Sequence, residues 1–242
     1  MASGSSKQMT LKTPINSGGQ LAFPLSLNDK ASFENYFVGQ NAELLDSIKA
    51  SVRGLESKLL YFYGPKSSGK SHLIFAALKL AKEEHLQTSY LSLSDDYVTP
   101  EMLSVVDVTS VVFIDDADAW AGKPDNERAL FTLFDQIKHA GGRLVISASQ
   151  LSDAAGFIIP DLVSRLSSGL IYAITELTEV QQFAALKMRA NHRGLSISDE
   201  ALKYLLSRFT RDTGEIFELL EQIDHASLAE QRRVTIPFLQ SV

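Results

Sequence analysis

Apolar residues fall along this chain in two alternating rhythms. Short uninterrupted runs occur at Leu59–Tyr63, Ser89–Leu93, Val111–Ile114, Leu144–Ser147 and Leu170–Ile174. Between them lie longer stretches in which apolar positions recur every three or four residues. The runs predict strands buried on both faces, and the recurring stretches predict helices over Asn41–Val52, Ser71–Glu84 and Glu127–His139. In the first of these, Leu44, Leu45, Ile48 and Val52 form the apolar stripe, with Asn41 as its candidate cap. Strands alternating with helices predict an α/β fold: a parallel sheet with helices on both faces.

After about Leu177 the strand rhythm stops. Three helical stretches follow, Thr178–Asn191, Ser198–Phe209 and Thr213–Ala229, each opening on a Ser or Thr cap. Thr178 with Gln181 reads as a full capping box. The change of rhythm predicts a base domain over residues 28–177 and a small all-helical domain over 178–242. Ahead of them, residues 1–19 are rich in Ser, Gly and Thr without periodicity and read as a flexible leader. Residues 20–27, "QLAFPLSL", place four large apolar side chains on what reads as a tail.

Composition narrows the function. A length of 242 residues fits one to two domains. The net charge of −6 argues against a broad DNA-gripping surface, because neutralising phosphates needs clustered Lys and Arg. Little direct nucleic-acid binding is expected. The chain has no cysteine, which excludes disulfides and thiolate metal sites. No apolar run approaches the ~20 residues of a membrane span, so a cytoplasmic location is expected. The five histidines fall on separate elements with no ligand spacing.

The strongest chemical signal is Gly64-Pro65-Lys66-Ser67-Ser68-Gly69-Lys70-Ser71, which matches G-x-x-x-x-G-K-[ST] between an apolar run and a helical stretch. The two glycines let successive N–H groups converge on one oxyanion. Lys70 adds a point charge at the terminal phosphates, and the Ser71 hydroxyl can ligate Mg²⁺ at the positive end of the new helix. A second signal is "VVFIDDAD". Asp115 stands at the carboxyl end of a buried strand, where open α/β sheets bind ligands, and can hold the Mg²⁺ shell. Asp116 follows, placed to orient or deprotonate a water. Its side chain is one methylene shorter than the Glu common at that position, which predicts slow turnover. Asp118 reads as a helix cap or exposed charge, and Trp120 as packing or a loop residue.

With these motifs in hand, the chain resembles the AAA+ ATPases and, within them, the DnaA/Hda family. The resemblance covers Gln20 to the end and rests on "FENYFVGQN", "YGPKSSGKSHL", "FIDDAD" and "IPDLVSRLSSGLIY". It implies a nucleoside diphosphate, ADP with Mg²⁺, whose base is lined by Tyr36, Phe37 and Val38. It also implies that Arg165 is an arginine finger for a neighbour's nucleotide and that DnaA is the partner. From spacing alone, Arg165 would instead pair with Asp161 one turn away. The resemblance implies no third, DNA-binding domain after the helical lid. It has two departures. Ser149 stands where the family senses the γ-phosphate, a shorter neutral group. Gly214 stands where the lid carries an Arg, with Arg211 one turn earlier as the candidate substitute. Both point to weak intrinsic hydrolysis.

Residues 20–27 resemble the short peptide by which replication proteins bind the DNA polymerase III sliding clamp. By that likeness Gln20 bonds the pocket rim, and Leu21, Phe23 and Leu25 fill apolar pockets. Burying three such side chains gives roughly 5–9 kcal/mol gross, much of it offset by ordering the segment. A homo-oligomer would gain further by avidity on a ring of repeated pockets. The expected function is a nucleotide-bound regulator that, tethered to the clamp, stimulates ATP hydrolysis by DnaA and prevents re-initiation. The alternatives are an autonomous ATPase of helicase-loader type or a DNA-binding initiator-like module.

Overall fold

The computed structural model describes residues 31–208, 213–230 and 234–239. The leader, the peptide at 20–27 and Arg211 lie outside the described residues.

Five strands, β1 (Leu59–Tyr63), β2 (Thr88–Ser92), β3 (Val111–Asp115), β4 (Arg143–Ala148) and β5 (Leu170–Ala173), form one parallel sheet in the order β2-β3-β4-β1-β5. Each matches an apolar run to within a residue or two. The reason is physical: β1, β3 and most of β4 are buried on both faces, so apolar residues fill these strands except at their ends, where Asp115 and Ser147 lie. One side of the sheet is covered by α1 (Ala42–Arg53) and α2 (Lys70–Glu83), which close over Leu60, Phe62, Phe113 and Val145. On the other side, α3 (Pro100–Leu103), α4 (Pro124–Ala140) and α5 (Pro160–Leu166) close over Tyr61, Val112, Ile114 and Leu144. Neighbouring strand residues alternate between the two cores, as a pleated strand requires.

The helical domain comprises α6 (Glu179–His192), α7 (Asp199–Arg208), α8 (Thr213–Glu230) and the short α9 (Ile236–Leu239). They share a separate core of Leu186, Leu202, Leu205, Leu220 and Phe238. The capping box at Thr178 and Gln181 is formed, and Ser198 Oγ accepts the Ala201 N–H at 3.2 Å. Asn41 departs from expectation. It occupies the position before α1, but its side chain makes no cap. Instead its amide reaches the segment just after β5, donating to the Thr175 carbonyl at 3.1 Å and accepting the Thr175 N–H at 2.8 Å. Two backbone groups outbid one cap. α4 starts three residues earlier than the apolar stripe, because Pro124 at its first turn has a preset φ and no N–H to waste. Among the described residues no helix is long and apolar enough to cross a membrane.

Candidate nucleotide site and arginine finger

Parallel strands end on one side of the sheet, and the site is built there. The pairing of Tyr63 with Ala148 and of Ile114 with Ile146 sets the ends of β1, β3 and β4 side by side. The loop after β1 is tied to that edge by Gly64 N–H donating to the Ala148 carbonyl at 3.2 Å. It turns through Ser67, at φ +62°, and Gly69, at φ +94°, before α2 begins at Lys70. Pro65 and Lys66 at its crest are exposed. Gly69 is required twice over. Its φ lies in the left-handed region, and a Cβ there would stand 2.9 Å from Tyr36 Cε2. Tyr36 is thereby pressed against the loop, and burial pushes its phenol up to about 12. Phe37 is half-buried beside it, and Val38 is exposed.

Lys70 is buried, and its Nζ donates to the carbonyls of Gly64 at 3.0 Å and Pro65 at 3.1 Å. A buried ammonium held only by neutral carbonyls is poorly compensated. Ser68 Oγ is buried without a hydrogen-bond partner, a further, smaller cost. Both features fit an anion that completes the loop. A cleft of about 550 Å³ opens beside it, lined by Gly64, Pro65, Ser149 and Ile174 among others.

Asp115, at the end of β3, is 2% exposed. Burial raises its carboxyl above the usual range, while bonds from the Ser147 and Ser71 hydroxyls and the charge of Lys70 act the other way. Asp115 and Ser71 thus meet across the ends of two elements, an all-oxygen pair suited to Mg²⁺. Among the described residues no group of three or more His, Asp or Glu could hold a metal, so such an ion would depend on phosphate oxygens for the rest of its shell. When bound, the diphosphate and Mg²⁺ would supply the charge that Lys70 and Asp115 are each placed to meet.

Asp116 sits at φ +51°, with its N–H directed to Ser147 Oγ at 3.1 Å. Its carboxylate accepts from Ser94 Oγ at 3.0 Å, so the group expected to handle a water is held by the loop after β2. Ser149 is likewise engaged: its N–H donates to Asp118 at 3.0 Å, and its hydroxyl donates to the same carboxylate. Asp118 therefore neither caps the 3₁₀ turn at Ala117–Trp120 nor projects as a free charge. It ties the end of β3 to the end of β4. Trp120 is core.

His72, the second residue after Lys70 on α2, contacts the Tyr36 ring at 5.4 Å between centroids and donates from Nε2 to the Ser32 carbonyl at 3.0 Å. Burial lowers its pKa to about 4. A histidine depressed in the folded state must stay neutral while the unfolded chain protonates near pH 6.5, so stability falls as pH drops from about 6.5 towards 4. The full span is about 3 kcal/mol. Denaturant titration at pH 7 and pH 4.5 should show most of this difference, and His72→Gln should flatten it.

Arg165 lies on α5, anchored by the buried Leu162 and Leu166. Its side chain is 40% exposed. The local pairing with Asp161 does not form. Instead Arg165 Nε lies 3.1 Å from Asp135 of α4, and its guanidinium lies 6.0 Å from the centre of the Phe131 ring. A contact between helices replaces one within a turn.

Residues 27–173 match the family described as bacterial DnaA ATPase domain, and residues 179–242 match the family described as Hda, lid domain. The chain belongs to the DnaA-related, Hda-like family of AAA+ proteins. A relative from Haemophilus influenzae, itself uncharacterized, is 36% identical over 225 residues, covering 92% of this chain and 97% of that one. In fold, the Hda-like chain is similar to domain III of the Thermotoga maritima initiator DnaA, with TM-score 0.74 at 18% identity over 88% of this chain and 95% of that one. It is also similar to AMPPCP-bound DnaA from Aquifex aeolicus, with TM-score 0.68 at 23% identity over 81% of this chain and 66% of that one.

Proposed function

We propose that this Hda-like chain is a nucleotide-bound regulator that completes the catalytic pocket of another ATPase. Tethered to the sliding clamp through residues 20–27, it offers Arg165 to ATP-bound DnaA, stimulates hydrolysis there and so prevents re-initiation. The observation that carries the reading is the contrast between the two ends of the chemistry. The residues that would turn over the chain's own nucleotide are engaged elsewhere, Asp116 with Ser94 and Ser149 with Asp118. Arg165 is 40% exposed on α5, held by the partly exposed Asp135 and the neighbouring Phe131 ring. A guanidinium delivered to a neighbour's γ-phosphate stabilises transition-state charge. ADP, with Ser71 and Asp115 for its Mg²⁺ and Lys70 at the phosphates, acts here as a structural ligand that fixes the base domain. Such a protein works in the cytoplasm, alongside replicating DNA.

The tether is tested by capture on immobilised clamp. Leu25→Ala removes burial of roughly 1.5–3 kcal/mol, so affinity should fall on the order of ten- to a hundredfold. Gln20→Ala, losing about one hydrogen bond, should cost several-fold. Full retention in both variants removes the clamp from the proposal. Rapid ATP turnover by the isolated chain would instead favour an autonomous motor.

A further inference from the structure

Glu127, Phe131 and Asp135 stand at i, i+4 and i+8 on α4, so they line one face of that helix. All three touch the segment that carries Arg165, each in a different way. Glu127 is wholly buried, and its carboxylate accepts the N–H of Ile158 at 3.0 Å, that of Ile159 at 2.9 Å and that of Gly122 at 2.7 Å. These bonds fix the two residues directly ahead of Pro160, where α5 begins. Phe131 lies against the guanidinium, and Asp135 meets its Nε. One face of α4 therefore sets both the entry of α5 and the resting place of its arginine.

The Asp135 contact differs in kind from the Glu127 bonds. It is a charge contact without hydrogen-bond alignment, between side chains 40% and 29% exposed. The contacting Asp135 oxygen is itself buried and lacks a hydrogen-bond partner, so the pair is poorly satisfied as it stands. A phosphoryl group carries more charge than one carboxylate and offers oxygens that suit a guanidinium fork. We infer that Asp135 is a positioning residue for Arg165, a resting counter-ion on the α4 cradle that another molecule's phosphoryl oxygens displace when the finger engages. The inference rests on the reading of Arg165 under Proposed function.

The test compares binding of the full chain to DnaA loaded with a non-hydrolysable ATP analogue and to DnaA loaded with ADP. Asp135→Asn removes the competing charge on a part-exposed side chain. It should tighten binding to the triphosphate form roughly two- to fivefold and leave the diphosphate form unchanged. In an Arg165→Ala background the same substitution should shift neither. Glu127→Gln sets amide hydrogens against backbone N–H donors. It should weaken binding to the triphosphate form alone, provided its melting temperature shows that the chain still folds. A purely structural role for Asp135 would move both nucleotide forms alike, and that result, or weaker triphosphate binding in Asp135→Asn, overturns the inference. If Arg165→Ala abolishes stimulated hydrolysis while Asp135→Asn behaves as wild type, only the counter-ion role falls. If Arg165→Ala stimulates normally, both readings fall.

Discussion

Arg165→Ala is expected to lose DnaA stimulation by about three to five orders of magnitude, the range that a guanidinium supplied in trans contributes to phosphoryl transfer. The loss should be confined to that assay. Arg165 is 40% exposed and pairs with a carboxylate that is itself partly solvated, so its removal costs the fold no more than about 1 kcal/mol. Leu162 and Leu166, both buried, continue to anchor α5. Clamp capture, nucleotide affinity and melting temperature should therefore match wild type. Arg165→Lys sharpens the result: it keeps the charge but lacks the planar fork, and should recover little of the lost rate. The decisive measurement is the rate of phosphate release from ATP-loaded DnaA with clamp and DNA present. A variant that stimulates at the wild-type rate excludes Arg165 as the finger.

What the sequence discloses here, and what it conceals, divides along contact distance. The central strands are legible because burial on both faces favours unbroken apolar runs, and the long helices because their stripes repeat. α3 and α9, at four residues each, are too short to show a period. The candidate phosphate loop is legible because its chemistry is local: a turn, two glycines, a lysine and a hydroxyl in one octapeptide. Pairings between elements are not. Asp118 finds Ser149 across 31 residues, and Arg165 chooses Asp135 over its helical neighbour Asp161. Glu127 looks like any charge on an amphipathic helix until the fold brings the loop at Ile158 against it. Asn41 shows the same rule in reverse, since a residue fit to cap locally does better by serving two backbone groups near β5. Local propensity yields where a buried partner is at stake.

Lys70→Ala is the second large effect, and its small cost in the ligand-free chain separates it from ordinary core damage. The Lys70 ammonium is buried and rests on the Gly64 and Pro65 carbonyls. Its desolvation is not matched by a paired anion at hydrogen-bond distance, so deleting it costs the ligand-free fold little beyond the lost packing of its stem. With a diphosphate present the balance reverses, because a buried charge-assisted contact is lost, worth about 2–5 kcal/mol. Affinity for ADP should then fall by roughly 30-fold to several-thousand-fold. The clearest readout is thermal. At a ligand concentration of about 100 Kd the wild-type chain should gain about 2.7 kcal/mol, and at the same concentration the variant should gain less than about 1 kcal/mol. Two controls divide the causes. Asp115→Asn should weaken ADP binding chiefly when Mg²⁺ is present, since it removes a candidate ligand of the ion. Gly69→Ala should weaken it with or without the ion, because the new Cβ meets Tyr36 at 2.9 Å and the residue must hold φ +94°. Were Lys70→Ala to keep the full ADP-induced rise in melting temperature, the loop would not be the phosphate site.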